Sequence, residues 1–281
     1  MSLIQIGKPS LDYGHSARPH DRAPFARNIL LFTSGKGGVG KSTVAVNMAV
    51  ALAQKGLAVG LLDADVYGPS VPRLLQLHDE QLHWHGDRII PAENFGLKVM
   101  SVGFTTPEKD TPLAWRSSVA TSAIVQLIED VEWGSLDVLV VDLPPGTGDV
   151  QLTMAQELRV SGAVVVTTPQ QVATDDVRRS LRMLLDMQIP VLGIVENMSY
   201  FVAPDSGTVH RPFGEGGGAA LAADYSVPLL GEIPLSSVIR EASDAGTPVV
   251  ATGDGRERAA FLAIAERLWG SLRPAAGTHP R

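Results

Sequence analysis

The sequence predicts an α/β fold: a doubly wound, mostly parallel sheet with helices on both faces. Apolar runs rich in Val, Ile and Leu alternate with helical stretches from residue 28 onward. Such runs are typical of strands that crossover helices bury on both faces. Glycine-rich or acidic segments directly follow several of these runs. Ligands of such sheets bind beyond the carboxyl ends of the strands, so we expect the functional site there.

The strands are predicted from short β-branched runs, and the helices from the longer stretches between them. In chain order the predicted strands cover residues 29–33, 58–62, 99–102, 138–142, 163–167, 191–196 and 229–233. The predicted helices lie near residues 42–55, 116–130, 150–158, 171–187, 215–224, 236–244 and 256–270. The last helix has one apolar stripe among charges of mixed sign, which predicts packing against the sheet rather than on a membrane.

A glycine-rich segment follows the first predicted strand and matches the pattern G-x-x-x-x-G-K-[ST]. Strand, loop and helix in this order form a phosphate-binding loop, or P-loop. The glycines let backbone N–H groups converge on phosphate oxygens at the start of the helix. Lys41 is expected to reach the β- and γ-phosphates, and the Ser42 hydroxyl to bind Mg²⁺. The chain is therefore predicted to bind a nucleotide.

Lys36 is a second lysine inside this loop and is not required by the general pattern. Two roles are open for it. It could cross a dimer interface and touch the partner's γ-phosphate, as an arginine finger does. Alternatively, it is a solvated surface lysine.

Aspartates end two of the predicted strands. Asp142 ends an apolar strand, which is the Walker B position, and we expect it to hold Mg²⁺. Asp63 and Asp65 lie two residues apart at the end of the second strand. An isolated aspartate here would often be a turn former, but three of them beside a P-loop favour a metal and phosphate site.

Taken together, these segments resemble the Mrp/ApbC-type iron–sulfur cluster carrier ATPases of the MinD/ParA-like superfamily. The resemblance runs from about residue 28 to about residue 250 and is carried by residues 34–43, 61–70, 141–149, 167–170 and 196–201. It implies a slow Mg²⁺-dependent ATPase that acts as a nucleotide-switched homodimer in iron–sulfur cluster assembly or transfer. Its clients would be iron–sulfur or other metalloproteins.

The resemblance also assigns roles to individual residues. Lys36 matches the signature lysine and is expected to be catalytic together with Lys41. Asp65 matches the switch I aspartate that positions water, and Asp63 matches the aspartate that orients Mg²⁺ and its waters. The Mg²⁺ set is then Ser42, Asp63 and Asp142. The expected ATP contacts are Gly35, Lys36, Gly37, Gly38, Val39, Gly40, Lys41, Ser42, Thr43 and, at the adenine, Asn197.

The sequence departs from the family at its cluster ligands. Many relatives carry a Cys-x-x-Cys pair where Ala203 and Ser206 stand here, and the 281 residues contain no cysteine. Thiolates are the usual ligands of iron–sulfur clusters, so we expect no cluster ligand in this chain. The cysteines are missing either because the chain belongs to a cysteine-lacking branch or because they were removed by engineering. A bound cluster would need ligands from a partner, from a thiol cofactor or from residues of this chain that the motifs do not identify.

The composition of the chain limits the partners and the cellular location that we expect for it. The net charge is −7 and the basic residues are scattered, so no nucleic acid partner is expected. No secretory signal or membrane-spanning segment is evident, and we expect a cytoplasmic protein without a membrane partner. The alternative functions are a ParA/MinD-like partitioning or positioning ATPase, or a nucleotide-gated metalloprotein scaffold that carries no cluster itself.

The chain is predicted to divide into an extended N-terminal arm over residues 1–27, the P-loop ATPase domain over 28–272 and a flexible tail over 273–281. The segment His83-Trp84-His85 is read as an exposed hairpin with its turn at Gly86-Asp87, in preference to a metal site. Trp115-Arg116 resembles a family motif but is followed by two serines, and no site is inferred there.

Overall fold

The computed structural model describes residues 23–105 and 117–272. In its first half the strands are β1 (Ala26–Ser34), β2 (Val59–Asp63), β3 (His83–His85), β4 (Arg88–Ile90), β5 (Ala92–Asn94) and β6 (Leu97–Ser101). The helices of this half are α1 (Lys41–Gln54) and α2 (Val71–Leu74), and a 3₁₀ turn covers Val102–Thr105.

The second half begins with α3 (Ser117–Glu129). Its strands are β7 (Leu136–Asp142), β8 (Gly162–Thr167), β9 (Val191–Glu196), β10 (Phe201–Val202), β11 (Val209–His210) and β12 (Leu229–Glu232). The remaining helices are α4 (Asp149–Glu157), α5 (Gln171–Asp186), α6 (Gly217–Asp224), α7 (Ser237–Asp244), α8 (Val249–Thr252) and α9 (Arg256–Ser271).

One eight-stranded sheet organises these elements in the order β12-β9-β8-β1-β7-β2-β6-β5. Every neighbouring pair in it is parallel except β5 and β6, which are antiparallel. The central strands are almost wholly buried because their side chains are apolar on both faces. The predicted fold class is confirmed. The sheet brings the ends of β1, β2 and β7 side by side, where the P-loop and the aspartates follow.

Each predicted strand and helix is present, with small shifts at the ends. The largest shift is at β1, which begins at Ala26 because Ala26 pairs with Leu136 of β7. Two residues that were assigned to the N-terminal arm, Ala26 and Arg27, therefore belong to the sheet. The predicted hairpin is confirmed, since His85 pairs with Arg88 across Gly86-Asp87. The antiparallel edge strand β5, the hairpin formed by β10 and β11, and the short helices α2 and α8 were not predicted.

Helix α9 confirms the prediction of a packed terminal helix, because Phe261, Ile264, Ala265 and Leu268 are buried. Within residues 23–105 and 117–272, none of the helices has both the length and the hydropathy to cross a bilayer. Most of the arm, the tail at 273–281 and Trp115-Arg116 lie outside the described residues, so these predictions stay open.

Candidate functional site

The P-loop encloses a cavity of about 250 Å³ between β1 and α1. The cavity is lined by Ser34, residues 36–43, Asp65, Gly68, Ser70 and Pro145. Helix α1 begins immediately after Gly40, so its free N–H groups open into this space. A cavity at a helix N-terminus that also holds a lysine suits an anion such as a nucleotide phosphate.

Gly40 has a steric and a conformational reason to be glycine. Its φ of 81° lies in the left-handed region, where a side chain is strained. A Cβ placed on it would lie only 2.2 Å from Asn197 Nδ2. The loop therefore adopts this shape because the residue before α1 has no side chain.

Asn197 fastens the P-loop to the end of β9. Its side-chain Nδ2 donates a hydrogen bond to Val39 O at 2.8 Å, and its backbone N donates to Thr167 O at 2.8 Å. The next residue, Met198, has a φ of 54°, so the chain turns sharply as it leaves β9. The predicted adenine contact of Asn197 is untested, while its structural role at the P-loop could not be foreseen.

Lys41 and Asp142 form a buried ion pair at the base of the cavity. Lys41 Nζ lies 2.6 Å from Asp142 Oδ1, and the two side chains are 6% and 0% exposed. The same ammonium lies 3.8 Å from Asp65 Oδ2 and donates to Ser42 Oγ at 3.3 Å. The structure thus brings together four residues that the sequence assigned to one site.

Asp63 lies deeper than its neighbours and holds the loop that follows β2. Its Oδ1 accepts from Asp65 N at 3.1 Å, and its Oδ2 accepts from Val71 N and Ser101 Oγ, each at 3.1 Å. Burial, aided by the charge of Asp142, raises the pKa of Asp63 from 3.8 to about 7. Its predicted role in orienting Mg²⁺ stays a prediction, but its hydrogen bonds already order residues 64–71.

Asp65 faces the cavity. Its Oδ1 accepts from Tyr67 N at 3.3 Å, and burial raises the pKa of its carboxyl group above the ordinary value of 3.8. A carboxylate of raised pKa accepts a proton more readily than a surface aspartate does. The position and the pKa of Asp65 both suit a residue that orients a water molecule.

The oxygen atoms around Lys41 fit a magnesium ion. Asp142 Oδ2 is buried, and no described residue donates a hydrogen bond to it. Mg²⁺ takes oxygen ligands, keeps several waters and is commonly held by one or two carboxylates together with substrate phosphates. Among the described residues, no group of three acidic, His or Cys side chains is placed to hold a metal ion without other ligands. Asp142 Oδ2 and the Ser42 hydroxyl are the natural protein contacts.

A second loop, residues 143–148, closes the cavity beside the P-loop. Gly146 N donates to Ser34 O at 2.8 Å, and Pro145 lines the cavity. Gln151, on the first turn of α4, donates to Pro144 O at 2.7 Å and to Pro145 O at 3.2 Å. No motif in the sequence predicts a role for Gln151. The available signal was a polar side chain directly after the glycine-hinged loop, at a helix start.

Lys36 lines the cavity from the outer part of the P-loop and is half-buried. Its backbone O accepts a hydrogen bond from Ser34 Oγ at 3.0 Å. Among the described residues its ammonium has no carboxylate partner, in contrast with that of Lys41. The position leaves both predicted roles of Lys36 open.

Comparison with known proteins agrees with this geometry. The family model of the NUBPL iron-transfer P-loop NTPases, of the ParA group, matches residues 26–269. The chain belongs to this family. It is also 50% identical, over 249 residues, to the iron–sulfur cluster carrier protein of Aquifex aeolicus, covering 88% of this chain and 68% of that one.

Two solved structures have the same fold as this NUBPL-family NTPase. A nucleotide-binding protein of Archaeoglobus fulgidus, solved with ADP, has a TM-score of 0.74 and 37% identity, over 87% of this chain and 96% of that chain. The cell division ATPase MinD of Pyrococcus furiosus has a TM-score of 0.61 and 22% identity, over 87% and 99%. The predicted family resemblance and the assignment as a nucleotide-binding P-loop NTPase are confirmed.

The hairpin formed by β10 and β11 carries Ala203 and Ser206, the two positions at which the family resemblance implies cysteines. Ala203 and Ser206 lie on its tight turn, in which Gly207 N donates to Ala203 O at 2.9 Å. Neither side chain can provide a thiolate, and the sequence contains no cysteine. This turn therefore does not fit an iron–sulfur cluster bound by the usual chemistry.

Proposed function

We propose that the chain is a slow Mg²⁺-dependent ATPase that switches a homodimer between two conformations during iron–sulfur cluster transfer. The observation that carries the proposal is the buried pair of Lys41 and Asp142 at the base of the P-loop cavity. An ammonium held there by a carboxylate is in place to meet the phosphates of an incoming nucleotide. The family and its relatives support the choice of cluster transfer as the biological role.

The phosphates would be bound by the backbone N–H groups of the P-loop and by Lys41. Ser42 and Asp142 would hold Mg²⁺, which neutralises charge on the β- and γ-phosphates. Asp65 would orient the attacking water and accept its proton, helped by its raised pKa. Loop 143–148 would respond to the γ-phosphate, because Gly146 can turn its N–H from Ser34 O toward the nucleotide.

Lys36 supports the dimeric part of the proposal. Its side chain lies at the rim of the phosphate cavity, and it has no ion-pair partner among the described residues. A second copy facing this rim would bring its own lysine toward the first copy's γ-phosphate. Charge supplied in this way stabilises the transition state of phosphoryl transfer. Release after hydrolysis would separate the two copies.

The turn without cysteines favours a second candidate function. In that case the chain is a nucleotide-gated scaffold for a metalloprotein client and holds no cluster itself. In the first candidate the cluster is a cargo whose ligands come from the client or from a thiol cofactor. Both candidates use the same ATPase site and differ only in what the hairpin contacts.

The ATPase proposal is tested with two variants and a matched control. Asp65→Asn should keep ATP affinity within about threefold and lower hydrolysis about 100-fold, because the water loses its base. Lys36→Met should lower hydrolysis about 1,000-fold while ADP still binds. Lys55→Met removes a lysine that pairs with Glu266 on the surface and should change nothing. If all three variants hydrolyse ATP like the wild type, the catalytic assignment is wrong.

Anaerobic reconstitution separates the two candidates. Iron and sulfide are added with and without glutathione, and bound iron is measured after gel filtration. The carrier predicts iron that passes to an apo-ferredoxin in an ATP-dependent manner, whereas the scaffold predicts none. The double variant Ala203→Cys/Ser206→Cys is the positive control, since it supplies two thiolates on the same turn.

A further inference from the structure

We propose that Gln151 is a positioning residue for ATP hydrolysis, acting through the loop that faces the γ-phosphate. The inference rests on the proposed ATPase activity and deepens it. Gln151 does not line the cavity and donates to the loop beside it, so its role is indirect. It fixes the loop against α4 so that Gly146 is presented to the nucleotide at a constant place.

Gln151 is buried and holds the loop at residues 143–148 through two hydrogen bonds. Its side chain is 2% exposed, although it belongs to a residue type that is usually on the surface. One amide nitrogen reaches two successive backbone carbonyls, Pro144 O at 2.7 Å and Pro145 O at 3.2 Å. Because proline has no N–H group, this pair cannot anchor the loop by donating backbone hydrogen bonds. Gln151 provides an anchor that the backbone cannot.

The clamped residues lie next to the reacting site. Pro145 lines the phosphate cavity, and its ring lies 4.0 Å from where a Cβ on Gly37 would be. Gly146 follows directly, with a φ of 90° that only glycine adopts easily. Backbone hydrogen bonds hold the two ends of the loop, from Leu143 N to Phe32 O and from Leu152 N to Gly148 O. Between these ends, Gly146 N donates to Ser34 O, and Gln151 donates to the carbonyls of the two prolines.

These two attachments have different consequences when a γ-phosphate enters. The hydrogen bond from Gly146 to Ser34 O must break for the Gly146 N–H to reach the phosphate. The bonds from Gln151 to Pro144 and Pro145 need not change, so they define the point about which Gly146 turns. Losing the clamp would let the loop shift, and a shift of about 1 Å can reduce turnover about 100-fold.

A purely structural role for Gln151 predicts a different pattern. A glutamine that only satisfies buried carbonyls would, when lost, weaken the whole domain and reduce ADP and ATP binding together. A positioning residue affects only the loop that contacts the γ-phosphate. It therefore changes kcat and leaves ADP affinity and the KM for ATP nearly constant.

The test compares Gln151→Met, which removes the donor, and Gln151→Glu, which places a carboxylate against the two carbonyls. Both should lower kcat about 10- to 100-fold, with the KM for ATP and the Kd for ADP within about threefold of wild type. Gln54→Met is the matched control, because Gln54 also donates to a backbone carbonyl, Val250 O at 3.2 Å, at the far end of α1. Its kcat should remain that of the wild type.

The outcomes are distinguishable. A kcat within twofold of wild type in both Gln151 variants overturns the inference, and so does a loss of ADP binding that parallels the loss of activity or of folding. If the wild-type protein itself does not hydrolyse ATP, the proposed function fails. If it does and the variants match it, only the role of Gln151 is refuted.

Discussion

Replacing Lys41 with methionine should destabilise the protein even when no nucleotide is present. Methionine has a similar length but no charge, so the change removes the ammonium with little loss of volume. Asp142 then remains fully buried without its partner at 2.6 Å, and Asp65 loses the same cation at 3.8 Å. The carboxyl groups of Asp63, Asp65 and Asp142 are then left close together, at the ends of β2 and β7, without a compensating cation.

The size of the effect follows from the burial of the pair. Removing one member of a buried ion pair costs about 3–5 kcal/mol of unfolding free energy, because the remaining charge is uncompensated. Lys41 also lowers the pKa values of Asp63 and Asp65, which burial raises. Without Lys41 these values rise further, so the loss should be larger at pH 8 than at pH 5.

The assay is urea unfolding in EDTA, followed by the fluorescence of the four tryptophans, of which Trp133 is buried and stacked on Phe25. A double-mutant cycle with Asp142→Asn should give a coupling energy of at least about 1.5 kcal/mol. Lys55→Met is the control, since an exposed pair contributes about 0–1 kcal/mol. A Lys41→Met cost no larger than that of Lys55→Met, or additive effects in the cycle, would refute the reasoning.

Three further predictions concern the same region. Gly40→Ala should lower ADP affinity at least about tenfold, whereas Gly38→Ala, which shares the left-handed φ but has open space around it, should have a smaller effect; equal effects would contradict the role of Asn197. Asn197→Ala should reduce ATP and ADP affinity by the same factor, about five- to tenfold by calorimetry, because it loosens the loop for both ligands; a selective loss of ATP would count against this. In EDTA without nucleotide, the unfolding free energy of the wild type relative to Asp63→Asn should fall as pH rises from about 4 to 7. The folded protein keeps a proton on Asp63, whose pKa is about 7, that the unfolded chain has lost; a constant difference across this range would disprove it.

The sequence predicted the large sheet well because its strands are buried on both faces. Within β7, residues 138–141 are all apolar and lie between Asp137 and Asp142, so the limits of this run are visible in the sequence. Strand β5 was missed for the opposite reason. It is a three-residue edge strand with the sequence Ala-Glu-Asn, which has low β propensity and pairs on one side. Strand β5 forms because it pairs with β6, and the local sequence gives no sign of this pairing.

The residues of the candidate site could be predicted from the sequence, but the hydrogen bonds that hold them in place could not. Lys41, Ser42, Asp65 and Asp142 were assigned to one place because their motifs end adjacent strands, and the structure brings them together. The bond from Asn197 to Val39 O joins residues 158 positions apart. No local pattern could reveal it, and the same holds for the bond between Ser101 and Asp63. Such contacts depend on strand order, which only the folded chain fixes.

The hairpin of β10 and β11 stands apart from the large sheet, as a two-stranded unit with its own turn. The P-loop, in contrast, extends from β1, which β7 and β8 flank on both sides. We therefore expect substitutions at 203 and 206 to change hydrogen bonds within the turn and to leave nucleotide affinity unchanged. Because the β10–β11 hairpin and the P-loop belong to different sheets, the turn is a suitable place to introduce new metal ligands.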